Sequence, residues 1–188
     1  MNDLTEYYKH RDNMDPGDGI SFRGDGAISG AIEFFTGQER SHWGTVGDWV
    51  DFDGTQDPRL PLYEAAGGEY NIRSLSKKLM YYEGEVYWHP LKPEFDGYRQ
   101  AMHRKMWELV GVEYDYSSLL KNIFGRQPAD EAELFCSEAG GVLVLEIPHE
   151  ALLPMADNEY LAALIDGQAL RPGGMALLPI WEPERRLI

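Results

Sequence analysis

Cys136 is the only cysteine in the 188-residue chain. With no second cysteine, it cannot form an internal disulfide or supply the paired thiolates of a typical structural zinc site. A small-residue segment, 137–141, and an apolar run, 142–145, follow it and predict a buried helix with the thiol near its start. Backbone N–H groups at a helix start favour a thiolate. The thiol is therefore either an inert packed residue or a nucleophile, and a nucleophile needs a base.

Histidine is the usual base for a catalytic thiol. His42 has the most suggestive setting, because it follows a turn-forming segment, 37–41, and opens a strongly strand-favouring run that extends to Val50. Gly44 is expected to leave room beside it for a substrate. The other histidines have no distinctive setting: His10, His89, His103 and His149.

A catalytic histidine also needs a group that orients its ring. Glu64 lies in the next predicted strand, between apolar or small neighbours. An acidic residue is unusual inside a strand, and strand alternation could turn this one toward His42. The residues thus suggest a nucleophile, a base and an orienting acid in the chain order His42, Glu64, Cys136.

Two segments around these residues resemble signatures of a known family. The segment 41–46, Ser-His-Trp-Gly-Thr-Val, is similar to the "SHxGi" signature of the permuted NlpC/P60 papain-like cysteine hydrolases, the YiiX/YaeF-like group. The segment 135–138, Phe-Cys-Ser-Glu, is similar to their "fCSE" signature. In ordinary papain-like enzymes the cysteine precedes the histidine, whereas the permuted group places the histidine first.

Three further segments agree with this family in its own order. Residues 16–22 resemble the opening "GDiilf" strand, residues 111–116 the "G-x-x-Y-D" stretch, and residues 171–175 a closing turn and strand. The resemblance spans residues 16–181. Each segment is weak alone, and their common order gives the resemblance its force.

The resemblance implies an α+β, circularly permuted papain-like (NlpC/P60) fold, with an antiparallel sheet packed against helices that include the cysteine-bearing one. It implies Cys136 as nucleophile, His42 as base and Glu64 as orienting residue. Tyr114 is expected to line the site and help stabilise the oxyanion, with the Cys136 backbone N–H as a second candidate donor.

The function implied is a cysteine hydrolase that cleaves an amide bond, in a peptide or peptidoglycan-type substrate, through an acyl-enzyme. Two alternatives stay open: a lipid acyltransferase or thioesterase that uses the same site, and a catalytically inert binding module. We expect no cofactor and no metal site, since no histidine pair has zinc-site spacing and residues 51–57 favour a hairpin over a calcium loop.

Acidic residues crowd Cys136 and would oppose a thiolate: Asp130, Glu131, Glu133 and Glu138. If the helix starts at Asp130, the thiol lies beyond its first turn and depends mostly on His42. If it starts nearer Leu134, the acids belong to the preceding loop.

Composition limits the partners. The net charge of −15 disfavours nucleic acids and anionic membranes, and it favours solubility or, alternatively, a cationic substrate. No apolar stretch approaches the roughly 18 residues of a membrane span, and the first residues lack a signal-peptide pattern. The expectation is a cytoplasmic protein, with export by another route left open and no prediction of oligomeric state.

The predicted organisation is an N-terminal extension, 1–15, and one domain, 16–188. Strands are expected at 20–22, 42–50, 60–66, 86–91 and 175–181, and helices at 28–35, 93–110, 117–124 and 159–165. The helix that carries Cys136 is expected to end near residue 146. The stretch 67–85 is left open as a lid or a plain insertion. Strands followed by a helical block predict α+β rather than a parallel βαβ fold.

Overall fold

The computed structural model describes residues 1–24, 40–51, 54, 59–66, 69–111 and 131–188, with only the backbone given for 131–135. Its centre is a six-stranded sheet in which every neighbouring pair is antiparallel, in the order β4-β3-β2-β1-β5-β6. The strands are β1 (Gly19–Gly24), β2 (His42–Val46), β3 (Pro61–Ala66), β4 (Glu69–Ser74), β5 (Gly84–His89) and β6 (Arg185–Arg186).

Seven α-helices surround the sheet within these residues. They are α1 (Thr5–His10), α2 (Leu75–Tyr81), α3 (Arg99–Leu109), α4 (Glu131–Val144), α5 (His149–Leu152), α6 (Glu159–Ile165) and α7 (Pro172–Ala176). Short 3-10 helices span Arg11–Asn13, Pro93–Tyr98 and Leu153–Met155. This arrangement confirms the α+β class.

The sheet separates two hydrophobic cores because successive strand residues point to opposite faces. One face carries Trp43 and Tyr63, which pack with α3, α4, α6 and α7. The other face carries Phe22 and Leu62, which pack with α1 and α2. Both faces of the sheet are therefore covered, and Cys136 belongs to the α4 side.

The first fifteen residues pack onto the sheet. Leu4, Tyr7 and Met14 are buried in the core on the α2 side. The Asn2 side-chain amide donates to the carbonyl oxygens of Leu79 and Tyr82, at 2.8 Å and 2.6 Å. The segment that the sequence marks as an extension thus closes one hydrophobic core.

Several predicted elements are confirmed by the structure. A strand forms around residues 20–22, another begins at His42, and a third covers residues 61–66. The helix predicted over 159–165 is α6. The helix predicted from residue 93 is α only from Arg99, and its first six residues form a 3-10 turn.

Other predicted elements are wrong. The stretch 67–85 holds β4 and α2, so it is part of the sheet and its covering layer rather than a plain insertion. The strand predicted over 175–181 does not form, and residues 175–176 belong to α7 instead. This helix starts at Pro172, whose φ already suits a first helical position. Trp181 keeps one isolated bridge to Leu91. The helices predicted over 28–35 and 117–124 lie outside the described residues.

Gly140 sets how closely α4 approaches the sheet. A Cβ at this position would lie 2.7 Å from two atoms of the buried Trp43 ring. Replacing an interior helix glycine by alanine normally gains about 1 kcal/mol. Here the overlap costs about 1–3 kcal/mol, because the fully packed indole cannot move aside.

We therefore expect Gly140→Ala to lower the free energy of unfolding by about 1 kcal/mol in urea denaturation. Gly97→Ala is the matched control, because Gly97 is exposed and a Cβ there meets no atom within 4 Å. The control should unfold no earlier than the parent chain. Equal midpoints for the two variants would contradict the close approach.

Candidate functional site

Strand register brings His42 and Glu64 together. Glu64 of β3 pairs with Gly44 of β2, and His42 lies two residues from Gly44, on the same face of the sheet. The His42 Nε2 atom and the Glu64 Oε2 atom are 2.7 Å apart. The two side chains that sequence patterning selected as base and orienting acid therefore form a direct hydrogen bond.

Gly44 does not leave the open space that the sequence suggested. A Cβ at Gly44 would lie 2.6 Å from the Leu62 side chain, which fills the volume above the glycine. The expectation of a substrate space at this position is wrong. Gly44 instead allows β2 and β3 to pack their buried side chains tightly beside the histidine.

Glu64 is a fully buried carboxylate with three cationic or potentially cationic neighbours. Its side chain is 0% exposed, and Lys78 Nζ lies 3.1 Å and 3.0 Å from its two oxygens. Arg73 Nε lies 3.4 Å from Oε1. Burial raises the pKa of Glu64, but hydrogen bonds and charges from His42 and Lys78 outweigh it and lower the pKa to about 2.

Local structure explains how these two cations reach the carboxylate. β4 pairs with β3 so that Arg73 lies on the same face as Glu64. Ser74 caps α2 by accepting from the Lys77 backbone N–H, and Lys78 is the next residue, in the last turn of this short helix. Sequence analysis missed both roles, although the basic residues between 73 and 78 were the available signal.

Cys136 approaches His42 from α4, which packs on the opposite face of the sheet. The thiol is 3% exposed, and its side chain hydrogen-bonds the His42 side chain. Because Glu64 engages Nε2, the ring nitrogen left for Cys136 is Nδ1. His42 is the first residue of β2, so its ring lies at the end of the strand and links elements from both faces.

The protonation of His42 reflects both neighbours. Burial lowers the pKa of His42, but the charge and hydrogen bond of Cys136 raise it, and so do those of Glu64. The result is a pKa of about 9. An imidazolium at neutral pH is the state expected of a histidine held between a sulfur and a carboxylate.

The helix that carries Cys136 begins at Glu131, so the thiol lies more than one turn inside it. The helix dipole fades within the first turn, and His42 is left as the main stabiliser of negative charge on the sulfur. Only the first four N–H groups of a helix lack an internal partner. The Cys136 N–H lies beyond them, so its position in the helix does not favour the expected role as an oxyanion donor.

Glu138 is the acidic neighbour of Cys136 whose side chain the structure describes. It is 3% exposed, and Oε2 has no hydrogen-bond partner among the described residues. Burial raises the pKa of Glu138 to about 7, which reduces its negative charge near neutral pH. Its expected opposition to a thiolate is correspondingly weakened. Asp130 and Tyr114, and the side chains of Glu131 and Glu133, lie outside the described part of the chain.

His89 forms a separate buried pair. Its Nε2 lies 2.8 Å from Ser21 Oγ and 3.6 Å from a Glu184 oxygen. A serine triad needs one ring nitrogen for the hydroxyl and the other for the acid, whereas here both contacts use the same nitrogen. Burial, with a contribution from Arg40, lowers the pKa of His89 to about 3. His89 is therefore a neutral core residue.

Two kinds of feature are absent from the described residues. They contain no group of three or more His, Cys, Asp or Glu side chains arranged to hold a metal ion. None of their helices is long and apolar enough to cross a membrane.

Comparison with known proteins places the fold. No protein-family model matches the chain, and no curated protein shows significant sequence similarity to it. Among solved structures, the chain is similar to the crystal structure of the metalloprotein YiiX from Escherichia coli O157:H7, described as DUF1105. The TM-score is 0.55 at 16% identity, with 90% of this chain and 95% of that chain covered. The two proteins share a fold, which agrees with the YiiX-like resemblance of the sequence.

The contacts of Glu64 lead to a stability prediction. Lys78→Met removes a cation from a buried carboxylate, and we expect the free energy of unfolding to fall by about 1.5–3 kcal/mol. Lys77→Met is the matched control, because it makes the same change one residue away at an exposed position. Its effect should stay within about 0.5 kcal/mol in the same urea titration. Similar losses in both variants would show that Lys78 does not support Glu64.

Glu138 leads to a pH prediction. The folded protein holds a proton on this carboxyl that the unfolded chain releases, so stability is lost as the pH rises from about 4.5 through about 7. The slope is at most about 1.4 kcal/mol per pH unit. Glu138→Gln should remove this loss, and the exposed Glu83→Gln should not, when urea unfolding is measured at pH 5 and pH 8. The same pH dependence in both variants would contradict the raised pKa.

Proposed function

We propose that the chain is a cysteine hydrolase that cleaves an amide bond, of peptide or peptidoglycan type, in a circularly permuted papain-like (NlpC/P60) fold. Cys136 is the nucleophile, His42 the acid–base group and Glu64 the orienting residue. The observation that carries the proposal is that the His42 ring engages the Cys136 thiol and the Glu64 carboxylate at once. This is the relation that nucleophile, base and third group have in thiol hydrolases.

The first half of the reaction uses the protonated histidine. With a pKa of about 9, His42 is an imidazolium at neutral pH and stabilises a thiolate on Cys136. The sulfur attacks the carbonyl carbon, and a tetrahedral intermediate forms. His42 then gives its proton to the leaving nitrogen, the C–N bond breaks, and the amine departs from an S-acyl enzyme.

Acylation of Cys136 changes the protonation of His42 in the way that the hydrolysis of the acyl-enzyme requires. Once the sulfur is bonded to the acyl group, it loses its charge and its hydrogen bond to His42, and these two contributions raised the pKa of the ring. Burial, which lowers this pKa, then has more weight, and the neutral form of His42 gains population. Neutral His42 takes a proton from water, and the hydroxide attacks the acyl carbon. The C–S bond then breaks, the carboxylic acid leaves, and the thiolate of Cys136 is restored beside the imidazolium of His42.

Glu64 keeps the ring in the working orientation throughout. By accepting a hydrogen bond from Nε2, it leaves Nδ1 as the nitrogen that exchanges protons with sulfur, amine and water. Lys78 and Arg73 hold the carboxylate ionised, so it stabilises the imidazolium without taking its proton. These two cations act on the reaction only through Glu64.

The fold supports the proposal at a coarser level. The likeness to YiiX covers most of both chains and matches the group that the segments 41–46 and 135–138 resemble. YiiX itself is described as a metalloprotein. The described residues of this chain offer no cluster of metal-ligating side chains, and no step of the proposed reaction passes through a metal.

An alternative acyl donor has one observation in its favour. Tyr81 lines the same groove as Lys78 and is 70% exposed. An exposed aromatic ring is covered more favourably by a lipid acyl chain than by water. A lipid acyltransferase or thioesterase would use the same three residues. An inert binding module of the same fold is the remaining hypothesis.

Single substitutions test the proposal on peptide-amide and fatty-acyl thioester substrates. Cys136→Ala and His42→Asn should each lower kcat/KM by about a thousandfold or more, and Glu64→Gln by at least about tenfold. His103→Asn is the matched control for His42→Asn, because His103 pairs with Asp48 outside the site. It should keep activity within about twofold.

The acyl-enzyme identifies the substrate class. Mass spectrometry of the trapped intermediate should show a peptide-derived adduct on Cys136, whereas a fatty-acyl adduct would favour the lipid alternative. Full activity in Cys136→Ala would refute the nucleophile. Iodoacetamide labelling of Cys136 no faster than that of N-acetylcysteine at pH 7, with no hydrolysis of either substrate, would favour the inert module.

A further inference from the structure

A groove with a volume of about 580 Å³ lies between α2, β4 and Arg59. Four of its lining side chains are cationic, namely Arg59, Arg73, Lys77 and Lys78. In the described part of the chain no acidic side chain lines it. The whole protein carries a net charge of −15 with only 17 lysines and arginines, so this grouping of cations stands out.

We propose that this groove binds an amphiphilic organic anion, a small molecule that carries a phosphate or carboxylate group beside an apolar part. Existing contacts neutralise only some of the cationic charge. Lys78 binds both oxygens of Glu64, and Arg73 directs its Nε toward Glu64 and Asn71. One carboxylate thus faces both Lys78 and Arg73, and a second anion would relieve the repulsion between these two cations.

Two of the cations are placed to receive such a group. The Arg73 side chain is 50% exposed, and its terminal guanidinium nitrogens have no hydrogen bond within the described residues. Lys77 is exposed on α2, and its Nζ has no ion pair there either. An arginine fork and a nearby ammonium match the oxygens of a phosphate or carboxylate.

The rest of the lining explains why the ligand should have an apolar part. Ile72, Tyr81 and Tyr82 complete the groove, and Tyr81 is 70% exposed. An inorganic ion would leave these side chains in water, whereas a hydrocarbon or aromatic group would cover them. A soluble ligand is favoured over a lipid headgroup in a bilayer. The soluble ligand meets only the cationic groove, whereas an anionic bilayer would also meet the surrounding surface of a protein whose net charge is −15.

The groove shares Lys78 and Arg73 with the His42–Glu64 pair, so occupancy changes the charge next to the candidate site. Binding itself requires no reaction. The proposal therefore stands apart from the proposed hydrolase, and Cys136→Ala should bind the anion as the parent chain does. A failure of one proposal leaves the other intact.

Isothermal titration calorimetry with hexyl phosphate tests the groove, with hexanoate, inorganic phosphate, hexanol and hexylammonium as comparison ligands. We expect saturable binding of hexyl phosphate or hexanoate, at least about tenfold weaker binding of inorganic phosphate and hexanol, and none of hexylammonium. Lys77→Ala and Arg59→Ala should each lower the affinity for the hexyl anion by at least about fivefold. Arg104→Ala, which removes an exposed cation on α3, should change the affinity less than about twofold.

Three outcomes would overturn the proposal. One is the absence of saturable binding of either hexyl anion below about 10 mM, because such an affinity is too weak for a specific binding site. Another is anion binding that Lys77→Ala and Arg59→Ala leave unchanged. The third is sedimentation with phosphatidylglycerol vesicles without binding of either hexyl anion, which would assign the cations to a membrane lipid.

Discussion

The buried carboxylate of Glu64 is the constraint that organises this part of the molecule. An ionised carboxylate removed from water is unstable without charged partners, and Glu64 is 0% exposed. β2 supplies His42, β4 supplies Arg73 and α2 supplies Lys78. The strand register, the cap of α2 and the orientation of the imidazole are therefore coupled: a change in any of them leaves the charge of Glu64 less satisfied.

His42 carries that constraint across the sheet. Its strand position assigns it to the face that α2 covers, whereas Cys136 comes from α4 on the other face. Because His42 is the first residue of β2, its ring lies at the end of the strand, where it contacts both layers. Close packing of α4 on Trp43 at Gly140 brings the helix within reach. The contact between the Cys136 thiol and the His42 imidazole thus depends on the distance between α4 and the sheet as much as on the identity of the two residues.

Sequence patterning could identify His42, Glu64 and the strands that carry them, because strand alternation and an acid in an apolar strand are local signals. It could not assign Arg73 and Lys78, because their partner is fixed by the pairing of β3 with β4 and not by their own neighbours. It misjudged Gly44, since the space above a glycine depends on a side chain of another strand. It also replaced α7 by a strand, because an apolar segment after Pro-Gly-Gly fits either element by composition alone.

Net charge is also a poor guide to binding, because it does not show where on the surface the charges lie. A value of −15 is a sum over the whole surface, and it favoured solubility or, alternatively, a cationic substrate. A ligand responds to the field where it binds, because charges beyond a Debye length of about 8–10 Å are screened. The carboxylate of Glu64 gathers cations around itself, and they remain cationic in the groove that lies beyond it. The same burial that fixes the candidate base therefore creates, on its far side, a local charge opposite to that of the protein.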